Sequence, residues 1–157
     1  VIFVGALANW IDIELVRKVA ELCNDLAFYL IGPNHNQPLK HLPDNLIYLG
    51  SRPYEEIPAY LQHANAAIAP FDVNAQPEFI ETIDAIKLYE YTAARLPTVA
   101  TRWGQSCRLF PYVVTVEQQP AAFADALRAV LEQPHQHQAP EEYIQTLDWS
   151  ARLAALG

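Results

Sequence analysis

The sequence predicts an α/β fold: a Rossmann-like parallel sheet of about six strands with helices on both faces. Three observations carry this. Short apolar runs alternate with amphipathic helical patterns along the chain. Runs such as Leu26 to Ile31 are apolar at successive positions, as strands covered on both faces must be. Several runs stop at a glycine, among them Gly5, Gly32 and Gly50. A length of 157 residues fits a single domain, 1–157, with a core of its own.

Val1 to Gly5 reads as the first buried strand. Asp12 is placed to cap a helix from about Ile13 to Cys23, with Ile13, Val16, Val19 and Ala20 on its apolar face. The second strand is Leu26 to Ile31, and a polar loop rich in proline and histidine runs from Asn34 to Asp44. Leu46 to Leu49 is a third strand. A helix from Glu55 to His63 then tolerates Pro58 near its first turn. Ala66 to Phe71 is the fourth strand, and Asp72 to Ile83 reads as an irregular loop carrying Asp72, Glu78 and Glu81. A helix follows from Asp84, its expected N-cap, to Arg95, with Ile86, Tyr89 and Ala93 spaced to share a face. Pro97 leads into the strand Thr98 to Thr101, and Tyr112 to Val116 is a sixth strand. Ala121 to Leu131 is an amphipathic helix with Phe123, Ala124, Leu127, Val130 and Leu131 inward. A linker of glutamine, histidine and proline precedes a terminal helix, 141–156.

Composition narrows the function. A formal net charge of −8 disfavours nucleic acid and anionic lipid as partners of the domain. Cys23 and Cys107 lack metal-type spacing and read as free thiols in a reducing compartment. His135 and His137 form a pair without a third ligand, so no metal is expected. No apolar run is long enough to span a bilayer. The chain has no methionine and starts at Val1, which reads as a fragment of a longer protein. Gly5 stands without the rest of a G-x-G-x-x-G fingerprint, which disfavours hydride transfer on a dinucleotide.

In open parallel sheets, ligands bind beyond the carboxyl ends of the strands, at the topological switch point. The chain segments there are the loops after Gly5, Gly50, Phe71 and Thr101 and the start of the helix carrying Lys87. Lys87 lies in the first turn, where free N–H groups and the helix dipole favour an anion. Glu90, three residues on, shares its face and can accept from a pair of hydroxyls. Phosphate at the helix start and a diol one turn deeper outline a nucleotide. The plain alternative is a surface ion pair between Lys87 and Glu90.

The run Lys87-Leu88-Tyr89-Glu90-Tyr91, then Ala93-Ala94 and Pro97-Thr98-Val99-Ala100-Thr101, resembles the donor-site signature of GT-B fold glycosyltransferases. Val4-Gly5-Ala6-Leu7 with Trp10 and Asp12 resembles the first strand and loop of their C-terminal, nucleotide-sugar-binding half. That likeness is to the bacterial cell-surface polysaccharide group. Leu30-Ile31-Gly32-Pro33, Asn45 to Gly50, Tyr54 to Leu61 and Ala67 to Phe71 follow in the family's order, so the resemblance covers nearly the whole chain. The resemblance implies that Glu90 accepts from the ribose hydroxyls. It implies that Lys87 meets the donor pyrophosphate and offsets leaving-group charge, the one catalytic role assigned here. It places the base at Ser51, Arg52, Pro53 and Tyr54, and the phosphates or sugar near Gly5 and Ala6. Asp72, Thr82 and Asp84 are the positions for donor-sugar contacts. The chain departs from the pattern at three places: Thr82 where many retaining members carry a second glutamate, Ala85 for a proline, and Arg95-Leu96 for a glycine.

The resemblance therefore implies the donor-binding domain of an enzyme that transfers a sugar from a nucleotide diphosphate sugar to a glycan or lipid-linked acceptor. The chain does not show which base the donor carries; UDP is the commonest expectation from the resemblance. No cofactor or metal is expected. The expected partners are the donor and an N-terminal half of the same protein, with self-association where that half is missing. The expected location is cytoplasmic, peripheral to the inner membrane face through other parts of the protein. A nucleotide-sugar epimerase half-domain and a catalytically silent nucleotide-binding or regulatory module are the alternatives.

Overall fold

The computed structural model describes residues 1–83, 85–104 and 110–147. Its strands are β1 (Ile2–Val4), β2 (Phe28–Ile31), β3 (Leu46–Gly50), β4 (Ala67–Ala69), β5 (Thr98–Thr101) and β6 (Val113–Val116). Its described α-helices are α1 (Ile13–Leu22), α2 (Ile57–His63), α3 (Pro77–Thr82), α4 (Ile86–Ala93), α5 (Pro120–Glu132) and α6 (Glu141–Gln145). Single 3₁₀ turns occupy Tyr54–Glu56 and Pro134–His137.

The strands pair in the order β3-β2-β1-β4-β5-β6, and every pair is parallel. This is the fold the sequence predicts. The chain leaves β1 toward β2 but leaves β4 toward β5, so the switch point lies between β1 and β4. Right-handed crossovers then put α1 and α5 on one face and α2 and α4 on the other. Phe3, Phe28, Leu30, Ile68, Val99 and Leu127 are among the fully buried side chains that fill the space between layers.

Gly32 shows how closely the loops crowd at this end of the sheet. A Cβ there would lie 2.0 Å from the Gly5 carbonyl oxygen, so the turn after β2 admits only glycine. Asp12 caps α1 as expected, its Oδ1 accepting from Leu15 N–H at 2.8 Å.

Four expectations are corrected. The segment after Asp72 is not all loop: Pro77 opens the short helix α3, which carries Glu78 and Glu81. Helix α4 starts at Ile86 with Ala85 in the cap position, and Asp84 lies outside the described residues. Its buried residues are Leu88, Tyr91 and Thr92, while Ile86 is 63% exposed. The sheet receives that stripe because Tyr91 reaches β1 beneath the helix. Finally, the polar linker contains the 3₁₀ turn at Pro134–His137, and of the terminal helix the described part is Glu141–Gln145. Cys107, Asp148 and Trp149 also lie outside the described residues.

Candidate functional site

The site is built where α4 begins, above the carboxyl ends of β1 and β4. Tyr91, fully buried, anchors the helix. Its hydroxyl oxygen accepts from Val4 N–H at 2.8 Å and lies 3.2 Å from the Val4 carbonyl, to which it donates. Burial pushes this phenol far above its ordinary pKa, so it stays neutral. One bond pair thus fixes α4 against the last residue of β1, immediately before Gly5.

Lys87 is carried into the crevice by this anchoring. Its Nζ stands 4.8 Å from the Phe3 ring centroid and 5.2 Å from that of Phe71, one ring from β1 and one from just after β4. A Cβ at Gly5 would meet Lys87 Cε at 3.0 Å and Nζ at 3.2 Å, so a side chain at position 5 would crowd the ammonium. Removal from water lowers the Lys87 pKa from 10.5 to about 8, and the Glu90 charge opposes that shift. The lysine remains mostly protonated at neutral pH. The ammonium is stacked over rings and does not close a salt bridge with Glu90; the described ion pairs lie elsewhere. This removes the surface-ion-pair reading.

Glu90 is half-buried one turn further along α4. Its Oε1 accepts from the Tyr54 hydroxyl at 3.1 Å, and this raises the Tyr54 pKa. Tyr54 is 73% exposed. Gly5, Lys87, Glu90 and Tyr54 are therefore brought together.

The other candidates are placed differently. Arg52 is exposed and turns its guanidinium to the Tyr60 hydroxyl and the Ser51 carbonyl. Ala6 follows Gly5 in the loop, partly buried. Asp72 accepts from Gln118 Nε2 at 3.0 Å and from Ala75 N–H at 3.0 Å. Gln118 Nε2 also donates to Asp12 Oδ2 at 2.6 Å, a link between distant loops that periodicity does not reveal. Thr82 is exposed and returns its hydroxyl to the Phe79 carbonyl at 2.8 Å. Neither Asp72 nor Thr82 shares a hydrogen bond with Lys87 or Glu90. Sequence reasoning missed Phe3 and Phe71 as the walls of the lysine, and Tyr91 as its anchor. Tyr91 sits within the quoted signature run, and that was the available signal.

A cavity of about 790 Å³ lies at the other end of the sheet, lined by Val1, Leu26, Tyr29, Tyr60, His63 and Leu131 among others. It contains none of the candidate residues. Among the described residues no group of three or more His, Cys, Asp or Glu is placed to hold a metal ion. No described helix is long and apolar enough to cross a membrane.

Comparison with known proteins agrees with the fold. The crystal structure of AviGT4, a glycosyltransferase involved in Avilamycin A biosynthesis, superposes with a TM-score of 0.63 at 17% identity, covering 99% of this chain and 51% of that one. The chain thus spans about half the length of that structure. No curated protein matches the sequence. The family described as "Glycosyl transferases group 1" matches residues 1–133 of the 157, and the chain belongs to that family.

Proposed function

We propose that this chain is the donor-binding domain of a glycosyltransferase, and that the complete protein transfers a sugar from a nucleotide diphosphate sugar to a glycan or lipid-linked acceptor. One observation carries the reading: a partly buried, still protonated ammonium and a carboxylate one helical turn apart, at the switch point beside Gly5. Lys87 is the group that meets the pyrophosphate and offsets charge on the departing nucleotide. Glu90 accepts from the ribose hydroxyls, and Ser51, Arg52 and Tyr54 border the base. Ala6 approaches the phosphates. Asp72, Thr82 and Asp84 are the candidate contacts to the donor sugar. UDP is the proposed nucleotide. No metal or cofactor enters this reading, because the lysine supplies the positive charge. An N-terminal half of the same protein supplies the acceptor site, and this domain separated from that half self-associates. A cytoplasmic place in bacterial polysaccharide synthesis follows from the sequence resemblance. Nothing in the fold favours an epimerase or a silent regulatory module.

Calorimetric titration with UDP, GDP, ADP and dTDP tests the reading. One nucleotide binds, Glu90→Ala weakens it by about 1–3 kcal/mol, and Lys87→Ala weakens it as well. A folded chain that binds none of the four at millimolar concentration, or binds equally after both changes, overturns it.

A further inference from the structure

An acceptor oxygen of Glu90 is already occupied by the protein itself. The donor is the Tyr54 hydroxyl, 36 residues away in the chain, at 3.1 Å from Oε1. Little else holds that side chain. Tyr54 is 73% exposed, and the 3₁₀ turn it opens, Tyr54–Glu56, has no buried residue. Pro53 precedes it with its own φ held at −54°, and the tyrosine ring can turn about its side-chain torsions. The phenol is a neutral O–H donor to a carboxylate, which is the chemistry a ribose hydroxyl would bring to the same oxygen.

We infer that the Tyr54 hydroxyl occupies the ribose position on Glu90 in the ligand-free protein, and that a nucleotide's ribose hydroxyl displaces it on binding. The inference rests on the donor-site reading above and adds a specific competitor to it. Tyr54 then sets affinity by opposing the ligand. Where the ribose hydroxyl takes the Oε1 position that the phenol holds, the phenol–carboxylate bond breaks as the ribose bond forms, and its strength is subtracted from the binding of that nucleotide. The direction of the Tyr54 shift agrees, since a bond to Glu90 holds the phenol in its neutral, donating form. Ligands that engage only Lys87 escape the competition, because Lys87 does not share the Tyr54 bond.

The test is titration of the wild-type chain and Tyr54→Phe with UDP, GDP, ADP, dTDP and, separately, inorganic pyrophosphate. Phenylalanine keeps the ring and removes only the hydroxyl, at an exposed position where folding is not at stake. The expected result is nucleotide binding tighter by about three- to tenfold, the share of a charge-assisted hydrogen bond left at an exposed site. Pyrophosphate affinity stays unchanged. Nucleotide binding that is unaltered or weaker in Tyr54→Phe overturns the inference and leaves the donor-site reading standing. Equal tightening for pyrophosphate overturns it too, because the effect would then be steric opening of the site. If none of the four nucleotides binds either protein, the donor-site reading falls and this inference falls with it.

Discussion

Enclosing an ammonium between Phe3 and Phe71 removes water that the cation–π contacts replace only in part, and the fall of the Lys87 pKa from 10.5 to about 8 records the difference. That fall corresponds to about 3 kcal/mol against the charged form. The unfolded chain keeps this proton up to about 10.5 and the folded chain only to about 8. Between those values the unfolded state binds more protons, so stability rises with pH there, and the penalty is present in full below 8. Lys87→Met should therefore stabilise the fold by about 1–3 kcal/mol at neutral pH, with the gain shrinking as pH climbs toward 10.5. Urea denaturation at neutral pH and near pH 10 measures it; a loss of stability, or a gain independent of pH, would show that the ammonium is not the strained group. A binding site that keeps a cation where the fold would prefer a thioether is using stability for affinity. The same proton gives binding a pH limit, because a neutral lysine attracts no anion.

Helix α4 must end without the glycine that usually occupies the left-handed position beyond a helix. Arg95 takes that conformation itself, with φ 55°. Leu96 N–H bonds to the Tyr91 carbonyl at 3.0 Å and Arg95 N–H to the Thr92 carbonyl at 3.0 Å, the paired bonds of a Schellman ending. The left-handed region is costly for a side chain, and the compensating ion pair of Arg95 with Glu141 is exposed and weak. Arg95→Gly should stabilise the chain by about 0.5–1 kcal/mol, after the extra entropy of glycine in the unfolded state is counted. Thermal and urea unfolding would show a small upward shift; a loss of more than about 1 kcal/mol would mean that the Glu141 pair outweighs the backbone cost. This element also shows what the sequence could and could not display. The position of the helix and the strand Thr98–Thr101 were legible, because a proline and a β-branched run mark the boundary. Its buried face was not. Eight residues offer Ile86-Tyr89-Ala93 and Leu88-Tyr91-Thr92 as nearly equal stripes, and the choice is made by Tyr91 bonding to Val4, a tertiary event. Helix α3 was hidden for a related reason: six residues opening on a proline and carrying two glutamates are too few to show a period.

Across the whole molecule, the pattern of apolar runs was enough to predict a parallel six-stranded sheet, and the sheet order then fixes where Lys87 and Glu90 converge. The links between loops at the carboxyl rim were not legible, since each joins residues far apart in the chain. Gln118 makes the widest of them among the described residues. Standing just after β6, its Nε2 donates to Asp12 Oδ2 at 2.6 Å and Asp72 Oδ1 at 3.0 Å, while its Oε1 accepts from Asn74 N–H at 3.1 Å. One side chain thereby joins the segments that follow β1, β4 and β6, and separates two carboxylates that would otherwise repel. Gln118→Ala should cost about 1–2 kcal/mol in urea denaturation with an unchanged slope, because water partly replaces the bonds at this half-buried place. Gln118→Glu should cost more at neutral pH, since it adds a third negative charge where an amide N–H₂ had bridged two. That new carboxyl would have its pKa raised in the folded state, so the folded chain would bind more protons than the unfolded one above the ordinary carboxylate range. Its excess cost must therefore fade as pH drops through the carboxylate range, whereas the alanine variant, which adds no ionisable group, gains less relief. Unfolding curves for the two variants at neutral pH and near pH 4 separate these cases. Equal losses at both pH values would mean that the rim is held by its backbone bonds, and that Gln118 merely fills space between the two acids.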